Sequence, residues 1–405
     1  MLKNKLQQAI LKTWSERGSD HFHLEVGLSG GVDSVVLLHV LTQLQPRLGY
    51  KLTAVHVNHQ LQAPAAEWAV FCQDLCHAWQ VPLRVEKVEV VQKQRLGIEA
   101  AARAARYQVY AKSASHAVVL AHHADDQIET AFLGWLRGGG IRAMAAMPAW
   151  RSLNAPASGP LIWRPLLTVS KQDLLDYAQQ WGLANVEDPS NSDETYLRNW
   201  LRQQILPNML QQRPELSHKI LAGVEQMQRE LAVLEEIQAQ DWAFVHKDDV
   251  FQVSKCLELS PARREQQLLY FAKAHQLSAW KKAQLTHFVT EIEARPASRH
   301  QIVLNKDVVF VDRARLYAWG AEQRQAMADI RMLGQTKSGA NQDFCVNTLA
   351  MSECIVNTQI GNHWRLVSLG VLRDELSTVT LKSVIARLKQ AKVPLLLIDL
   401  WPCWY

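Results

Sequence analysis

At 405 residues the chain exceeds what one compact core holds and calls for two or three domains. Its 48% apolar and 20% charged residues are those of a globular protein, which excludes disordered and fibrous classes. A formal charge of +5, from 44 basic and 39 acidic residues, permits a nucleic-acid partner without demanding one. The first strand candidate, Leu24–Leu28, runs into Ser29-Gly30-Gly31-Val32-Asp33-Ser34, and an apolar helix follows over Val32–Leu44. Further strands are expected at Leu52–Val57, Leu83–Val88 and Ala117–Ala121, with helices at Glu67–Trp79, Glu99–Ser115 and Asp125–Leu136. This alternation predicts an α/β fold, a doubly wound parallel sheet with ligands beyond the carboxyl ends of its strands. Gly138-Gly139-Gly140 punctuates the chain, 154–160 is a loop, and Ser170 with Asp173 starts another helix as a capping box with a short acid.

From about Pro214 the character changes. Long amphipathic helices are expected at Glu215–Val245, Pro261–Ala274 and Ala279–Ala294, closed by a strand pair at Gln301–Leu304 and Val308–Val311. Residues 334–340 read as a linker before a small α+β unit. The expected domains are therefore 1–213, 214–333 and 341–405. Six scattered cysteines without a Cys-x-x-Cys pair leave zinc and redox motifs unsupported, and Cys72 with Cys76 reads as buried helix face. No apolar run approaches membrane-spanning length and no signal-peptide core follows Met1, so the expectation is a cytoplasmic protein with no membrane and no obligate protein partner.

Three polar clusters fall at strand ends: the Ser29 loop, His56-Val57-Asn58-His59, and His122-His123-Ala124-Asp125-Asp126-Gln127-Ile128-Glu129. They predict one shared cleft. The glycine loop has the form of an anion cradle, with backbone N–H groups and a helix N-terminus aimed at one place. It lacks the Gly-Lys-Ser/Thr ending of a Walker A loop, so magnesium-bound pyrophosphate suits it better than γ-phosphoryl transfer. Asp126 and Glu129, at i and i+3, present two carboxylates on one helix face for an ammonium or a magnesium ion, while Asp125 either joins them or caps the helix. Arg103 and Arg106 also share a face.

The loop SGGVDS, the cluster HHADDQIET, the turn Arg164-Pro165-Leu166-Leu167, and Glu187-Asp188-Pro189-Ser190-Asn191 with Arg198-Asn199-Trp200-Leu201-Arg202 after it occur in that order. Over roughly residues 20–210 the chain resembles the tRNA(Ile)-lysidine synthetases of the PP-loop, or N-type ATP pyrophosphatase, group. The resemblance implies an adenine nucleotide alpha hydrolase-like sheet, followed by a helical tRNA-binding domain and a small α+β C-terminal domain. It implies ATP and Mg2+ as cofactors and L-lysine and tRNA(Ile) with a CAU anticodon as partners. ATP would adenylate the wobble cytidine at the carbon-2 oxygen, and lysine would displace AMP to give lysidine, which turns reading from AUG to AUA. ATP and pyrophosphate are expected at Leu28, Ser29, Gly30, Gly31, Val32, Asp33, Ser34 and His56, with Asp33 also toward magnesium. Lysine is expected at Arg103, Asp126 and Glu129. His122, His123 or a carboxylate would take the lysine proton, and the choice stays open. The tRNA is expected at Arg137, Arg164, Arg198, Arg202, Lys382 and Lys389. Trp135, Arg137 and Trp163 are candidates to receive the flipped cytidine, and the glycine run is a candidate for close approach to RNA.

Gln60-Leu61-Gln62 stands where relatives carry a basic residue, and Ile98 where a polar one is expected. The final apolar residues, Leu395–Tyr405, depart from the family's tail and read either as truncation or as terminal variation. Rival readings are a tRNA thiolase or amide-forming ligase of the same group, and a catalytically silent RNA-binding protein.

Overall fold

The computed structural model describes residues 2–19, 21–60, 64–88, 98–153, 159–186, 197–247, 250–275, 277–278, 280–298, 300–304, 307–319, 366–368 and 402–404. The chain forms two compact units, Met1–Val233 and Leu234–Tyr405.

The first unit begins with a helix that the sequence reading did not anticipate, α1 (Leu2–Arg17). Leu6, Ile10 and Trp14, each four residues from the next, bury one of its faces. The sheet is then laid down as β1 (His23–Gly27), α2 (Val32–Leu48), β2 (Lys51–Asn58), α3 (Ala65–Ala78), β3 (Leu83–Lys87), α4 (Ile98–Ala111) and β4 (Ala117–Val119). After α5 (Ala124–Leu136) and the short α6 (Ile141–Met144) come two strands, β5 (Trp150–Ser152) and β6 (Leu161–Trp163), and then α7 (Lys171–Gln180). The strand order is β3-β2-β1-β4-β6-β5. All neighbours run parallel except β5, which pairs antiparallel to β6 at the edge. The expected doubly wound parallel sheet is thus present.

β1 and β4 are buried through their middles because helices cover both faces; the one charge there, Glu25 in β1, is paired by Arg84. The order of connection reverses between β1 and β4, which is where such sheets open a crevice at their carboxyl ends. The Ser29 loop leaves β1 there, and the His122 cluster leaves β4 there. On one sheet face Trp14 meets Trp163, and Trp150 stacks on Trp163 with ring centroids 4.9 Å apart. Cys72 and Cys76 are buried, as expected, and burial pushes their thiols up to about 12 and about 11.

Beyond α7 the chain continues as α8 (Leu197–Trp200), one π-helical turn at Leu201–Ile205, α9 (Leu206–Gln212) and the 31-residue α10 (Glu215–Val245). The second unit is more than helices with a strand pair. β7 (His246–Lys247) and β8 (Val250–Gln252) precede α11 (Val253–Glu258), α12 (Pro261–Ala274) and α13 (Lys282–Ala294). β9 (His300–Leu304), β10 (Asp307–Asp312) and β11 (Arg315–Trp319) complete a five-stranded sheet in the order β7-β8-β11-β10-β9. The pair expected at 301–311 is its β9–β10 hairpin. Phe251, Phe271, Phe288 and Ile302 lie in the core between this sheet and the helices. Residues 366–368 and 402–404 form a further antiparallel strand pair. Among the described residues no helix is long and apolar enough to cross a membrane.

Candidate active site

The loop after β1 folds on its own hydroxyls. Ser29 Oγ and Ser34 Oγ are 3.1 Å apart, Gly31 N–H donates to Ser29 Oγ at 3.3 Å, and Ser34 Oγ donates to Gly31 O at 2.9 Å. Gly31 then caps α2 with extended backbone. Gly30 sits at φ +90°, where an added Cβ would lie 2.7 Å from Val186, whose N–H donates to Gly30 O at 3.0 Å. Glycine is therefore required by both conformation and space. The first turn of α2 leaves N–H groups without intrahelical acceptors, pointing with the positive end of the helix toward the crevice. His56 lies beneath this loop, 4% exposed, with Nδ1 2.9 Å from Leu28 O. Burial lowers its pKa, so it supports the loop as a neutral ring.

Asp33, on that first turn, joins the loop to the second cluster. Its Oδ1 accepts from Lys171 Nζ at 2.6 Å, and its Oδ2 lies 3.8 Å from His123 Nε2. Lys171 also gives its backbone N–H to Asp125 at 2.8 Å. Asp125 therefore caps α7 rather than its own helix. Ser170 and Asp173 form the expected box at the same helix start, Asp173 N–H donating to Ser170 Oγ at 3.1 Å. Lys171, missed in the sequence, is the residue that ties α7 to both clusters. Its signal was its place at the first turn after that box.

His123 N–H donates to Asp126 Oδ2 at 3.0 Å, fixing the start of α5. The His123 ring stands among Asp125, Asp126 and Asp33. Burial alone would lower its pKa, but those three carboxylates outweigh burial and raise it. His122 behaves oppositely. Burial, helped by Arg164, Arg103 and Arg198 against Asp126, pushes it down to about 3. The two adjacent histidines are thus shifted in opposite directions.

Asp126 and Glu129 do share a face, as their spacing requires, and are 8% and 1% exposed. Buried carboxylates need countercharge, and two arginines supply it. Arg198 donates to Glu129 Oε2 at 2.9 Å and to Asp126 Oδ1 at 3.2 Å. Arg202 donates to both acids, at 3.1 Å to Asp126 Oδ1 and 3.0 Å to Glu129 Oε2. Burial would raise the Asp126 pKa, but His123, His122 and Arg198 hold it low. Arg198 and Arg202 were expected on tRNA; here they answer an acidic pair whose burial the sequence did not reveal. Arg198 and Arg202 are one helical turn apart, and with hindsight that spacing matches the Asp126–Glu129 pair.

Two other expectations change. Arg164 is 2% exposed, with Nη1 on Pro148 O at 3.1 Å and Nη2 3.5 Å from the Tyr107 hydroxyl. It closes the end of β6 and offers no outer surface to a tRNA backbone. Trp163 is fully buried against Trp14 and Trp150, so it cannot receive an extruded base. Trp135 is 64% exposed and Arg137 is exposed beside it, so both keep an open face. Within the glycine run Gly139 serves packing, since a Cβ there would lie 2.4 Å from Ala143 Cβ, where α6 folds back on α5, while Gly138 and Gly140 have nothing within 4 Å. Gln60 adopts φ +51° with its N–H on Asn58 Oδ1. Residues 61–62, 187–191, Lys382 and Lys389 lie outside the described residues. Asp33, Lys171, His123, Asp125, Asp126, Glu129, Arg198 and Arg202 therefore form one connected polar network at the β1–β4 crevice.

Residues 2–209 match the PP-loop domain family. A tRNA(Ile)-lysidine synthase of Chromobacterium violaceum is 39% identical over 333 residues, covering 81% of this chain and 75% of that one. The chain belongs to the tRNA(Ile)-lysidine synthase family. The family's namesake in Neisseria meningitidis serogroup B is 46% identical over 248 residues, covering 61% of this chain and 57% of the relative. That of Neisseria gonorrhoeae is 45% identical over 266 residues, 66% of this chain and 59% of the relative. The chain thus spans less than two thirds of the length of those Neisseria family members.

Proposed function

We propose that this chain joins free L-lysine to carbon 2 of the wobble cytidine of tRNA(Ile), using ATP and releasing AMP and diphosphate. The observation that carries the reading is the 3.8 Å approach of Asp33 to His123, which makes the Ser29 loop and the acidic helix start two walls of one site. The loop's N–H groups and the hydroxyls of Ser29 and Ser34 would hold the diphosphate. The cytidine oxygen attacks the α-phosphorus, the bond to diphosphate breaks, and the adenylated base becomes a good electrophile. The lysine ε-nitrogen then attacks carbon 2, AMP leaves with the oxygen, and the nitrogen gives up a proton. Of the two histidines, His122 is pushed down to about 3 and is the weaker base, while the carboxylates around His123 raise its pKa and favour a proton there.

Magnesium suits the donor set. Asp33 supplies a hard carboxylate beside the phosphate cradle, and no cluster of three metal-ligating side chains exists among the described residues. That matches an ion held mostly by phosphate oxygens. Asp33 would hold it, and its chemistry there is to neutralise charge on the departing diphosphate. The thiolase reading is weaker, because Cys72, Cys76 and Cys256 are buried with thiols pushed up to about 12, about 11 and about 12; such thiols are inert. The tRNA is proposed to meet the open faces of Trp135 and Arg137 and the basic residues near Lys382 and Lys389.

The test is AMP release and anticodon mass in tRNA(Ile) incubated with ATP and lysine. The expected product carries one lysine on the wobble cytidine, formed only when all three substrates are present. Asp33→Ala should abolish it while tRNA binding persists. AMP release that ignores lysine would end this reading.

A further inference from the structure

The Ser29 loop carries no basic residue of its own. From Leu28 to Val35 it reads Leu-Ser-Gly-Gly-Val-Asp-Ser-Val, and its one charge is the acid Asp33. Such a cradle meets the dense negative charge of a diphosphate with partial charges alone. A cation reaches it from another element. Lys171 opens α7, and its Nζ donates to Asp33 Oδ1 at 2.6 Å, on the first turn of α2. The start of α7 is fixed from several sides. Ser170 Oγ donates to Asp173 Oδ2 at 2.6 Å, Lys171 N–H to Asp125 Oδ2 at 2.8 Å, and Ala124 N–H to Val169 O at 2.8 Å. The backbone of Lys171 is therefore held, while its side chain keeps 36% exposure.

Lysine is an unfavourable choice at this position. The first turn of a helix repels a cation, and here the ammonium also lies against the first turn of a second helix. The acids nearby are engaged elsewhere. Asp173 takes Lys5 Nζ at 2.8 Å, and Asp125 takes the α7 backbone and lies 3.4 Å from His123 Nδ1. Among the described residues Asp33 is the one carboxylate within ion-pair reach of Lys171 Nζ. A partly exposed pair of this kind adds little to stability, so the fold alone gives no reason for the lysine. Helix ends and an ammonium gathered on one spot suit an incoming anion.

We propose that Lys171 is a catalytic residue of the adenylation step: when ATP enters, its ammonium leaves Asp33 and donates to the diphosphate held by the loop. The proposal rests on the function proposed above and deepens it. As the cytidine oxygen bonds to the α-phosphorus, the bond from that phosphorus to the bridging oxygen breaks, and the electron pair passes to that oxygen. Lys171 stays protonated and donates a hydrogen bond to the new charge. A bond that strengthens as charge develops favours the transition state. The flexible lysine stem lets Nζ pass from carboxylate to phosphate while α7 stays in place. Asp33 is then free for magnesium. Lys171 thus supplies from α7 the ammonium that a Walker A loop carries within itself.

The experiment is titration calorimetry of the full chain with inorganic diphosphate in magnesium-free buffer. Lys171→Met should bind it about tenfold to a hundredfold more weakly than the wild type, the scale of a hydrogen bond to a charged group. Asp33→Asn removes a like charge and releases the ammonium, so it should bind diphosphate more tightly. Lys171→Arg should keep most of the affinity. The opposite signs separate a phosphate ligand from a lysine that only props Asp33, because a prop predicts that loss of either partner acts alike. In AMP release with ATP, tRNA(Ile) and lysine, Lys171→Met should lower kcat and leave KM for lysine unchanged. Wild-type diphosphate affinity in Lys171→Met overturns the assignment, and so does weaker binding by Asp33→Asn. If Lys171→Met fails to fold, the sign of the Asp33→Asn effect decides. The binding measurements use neither lysine nor tRNA. AMP release that ignores lysine therefore ends the proposed function, whereas unchanged diphosphate affinity in Lys171→Met ends this assignment alone.

Discussion

Two arginine groups act on His122 and differ in what answers their charge. Arg198 and Arg202 meet two buried carboxylates, with hydrogen bonds to both. Arg103, Arg151 and Arg164 meet a tyrosine hydroxyl and ring, and no carboxylate among the described residues. The first group is a closed account of charge in the folded protein. The second is answered by an aromatic ring and a hydroxyl instead. The same residue type is therefore ion-paired at one position and stacked on a ring at another; burial and partners decide which.

The largest effect expected is loss of the closed pair. Glu129 is 1% exposed. Glu129→Ala breaks a buried ion pair, leaving both guanidiniums to Asp126 alone, and should cost about 3–5 kcal/mol in urea unfolding. Arg198→Ala, which removes one of two partners, should cost less, about 1.5–3 kcal/mol. The double variant should cost less than the sum, since the partners act together. Additive losses would show that Glu129 and Arg198 do not depend on one another, and the contrast between the two groups would lose its basis.

Much of this site was legible in the sequence because its parts are local. A strand, two glycines and a helix start specify the Ser29 loop within a few residues. The i, i+3 spacing of Asp126 and Glu129 fixes their common face. Sheet order places both at one crevice. What the sequence could not show was long-range pairing. Arg198 and Arg202 lie some seventy residues from their acids, and no periodicity links them. Arg164 looked like a turn residue near a surface, yet its strand end is covered by Pro148 and Tyr107. Trp163 is apolar by composition and aromatic by type; only the stack with Trp150 assigns it to the core. The β7–β8–β11 strands were missed because they are short, two to five residues, and β8 finds β11 some sixty residues along the chain.

A smaller effect separates the two histidines by pH. His122 is pushed down to about 3, chiefly by burial. Below the ordinary histidine value of about 6.5 the unfolded chain gains a proton that the folded one refuses, so His122 lowers stability as pH falls from about 6.5 toward 3. His123 is raised by its carboxylates. Its contribution is full below about 6.5 and fades as pH climbs through its raised value. Urea midpoints across pH should show His122→Asn flattening the acid slope and His123→Asn flattening the slope above neutrality. If His122→Asn leaves the acid slope unchanged, burial does not hold the His122 ring neutral.

The smallest effect is the sharpest for the comparison. Arg151 is exposed and has no carboxylate among the described residues, so Arg151→Ala should change stability by no more than about 0.5 kcal/mol, as an ordinary surface change does. It should if anything stabilise, because it relieves repulsion from Arg103 and Arg164. Arg198→Ala, by contrast, should melt clearly lower, because it opens a buried ion pair. An Arg151→Ala variant that melts lower by as much would make Arg151 a structural arginine of the same kind as Arg198.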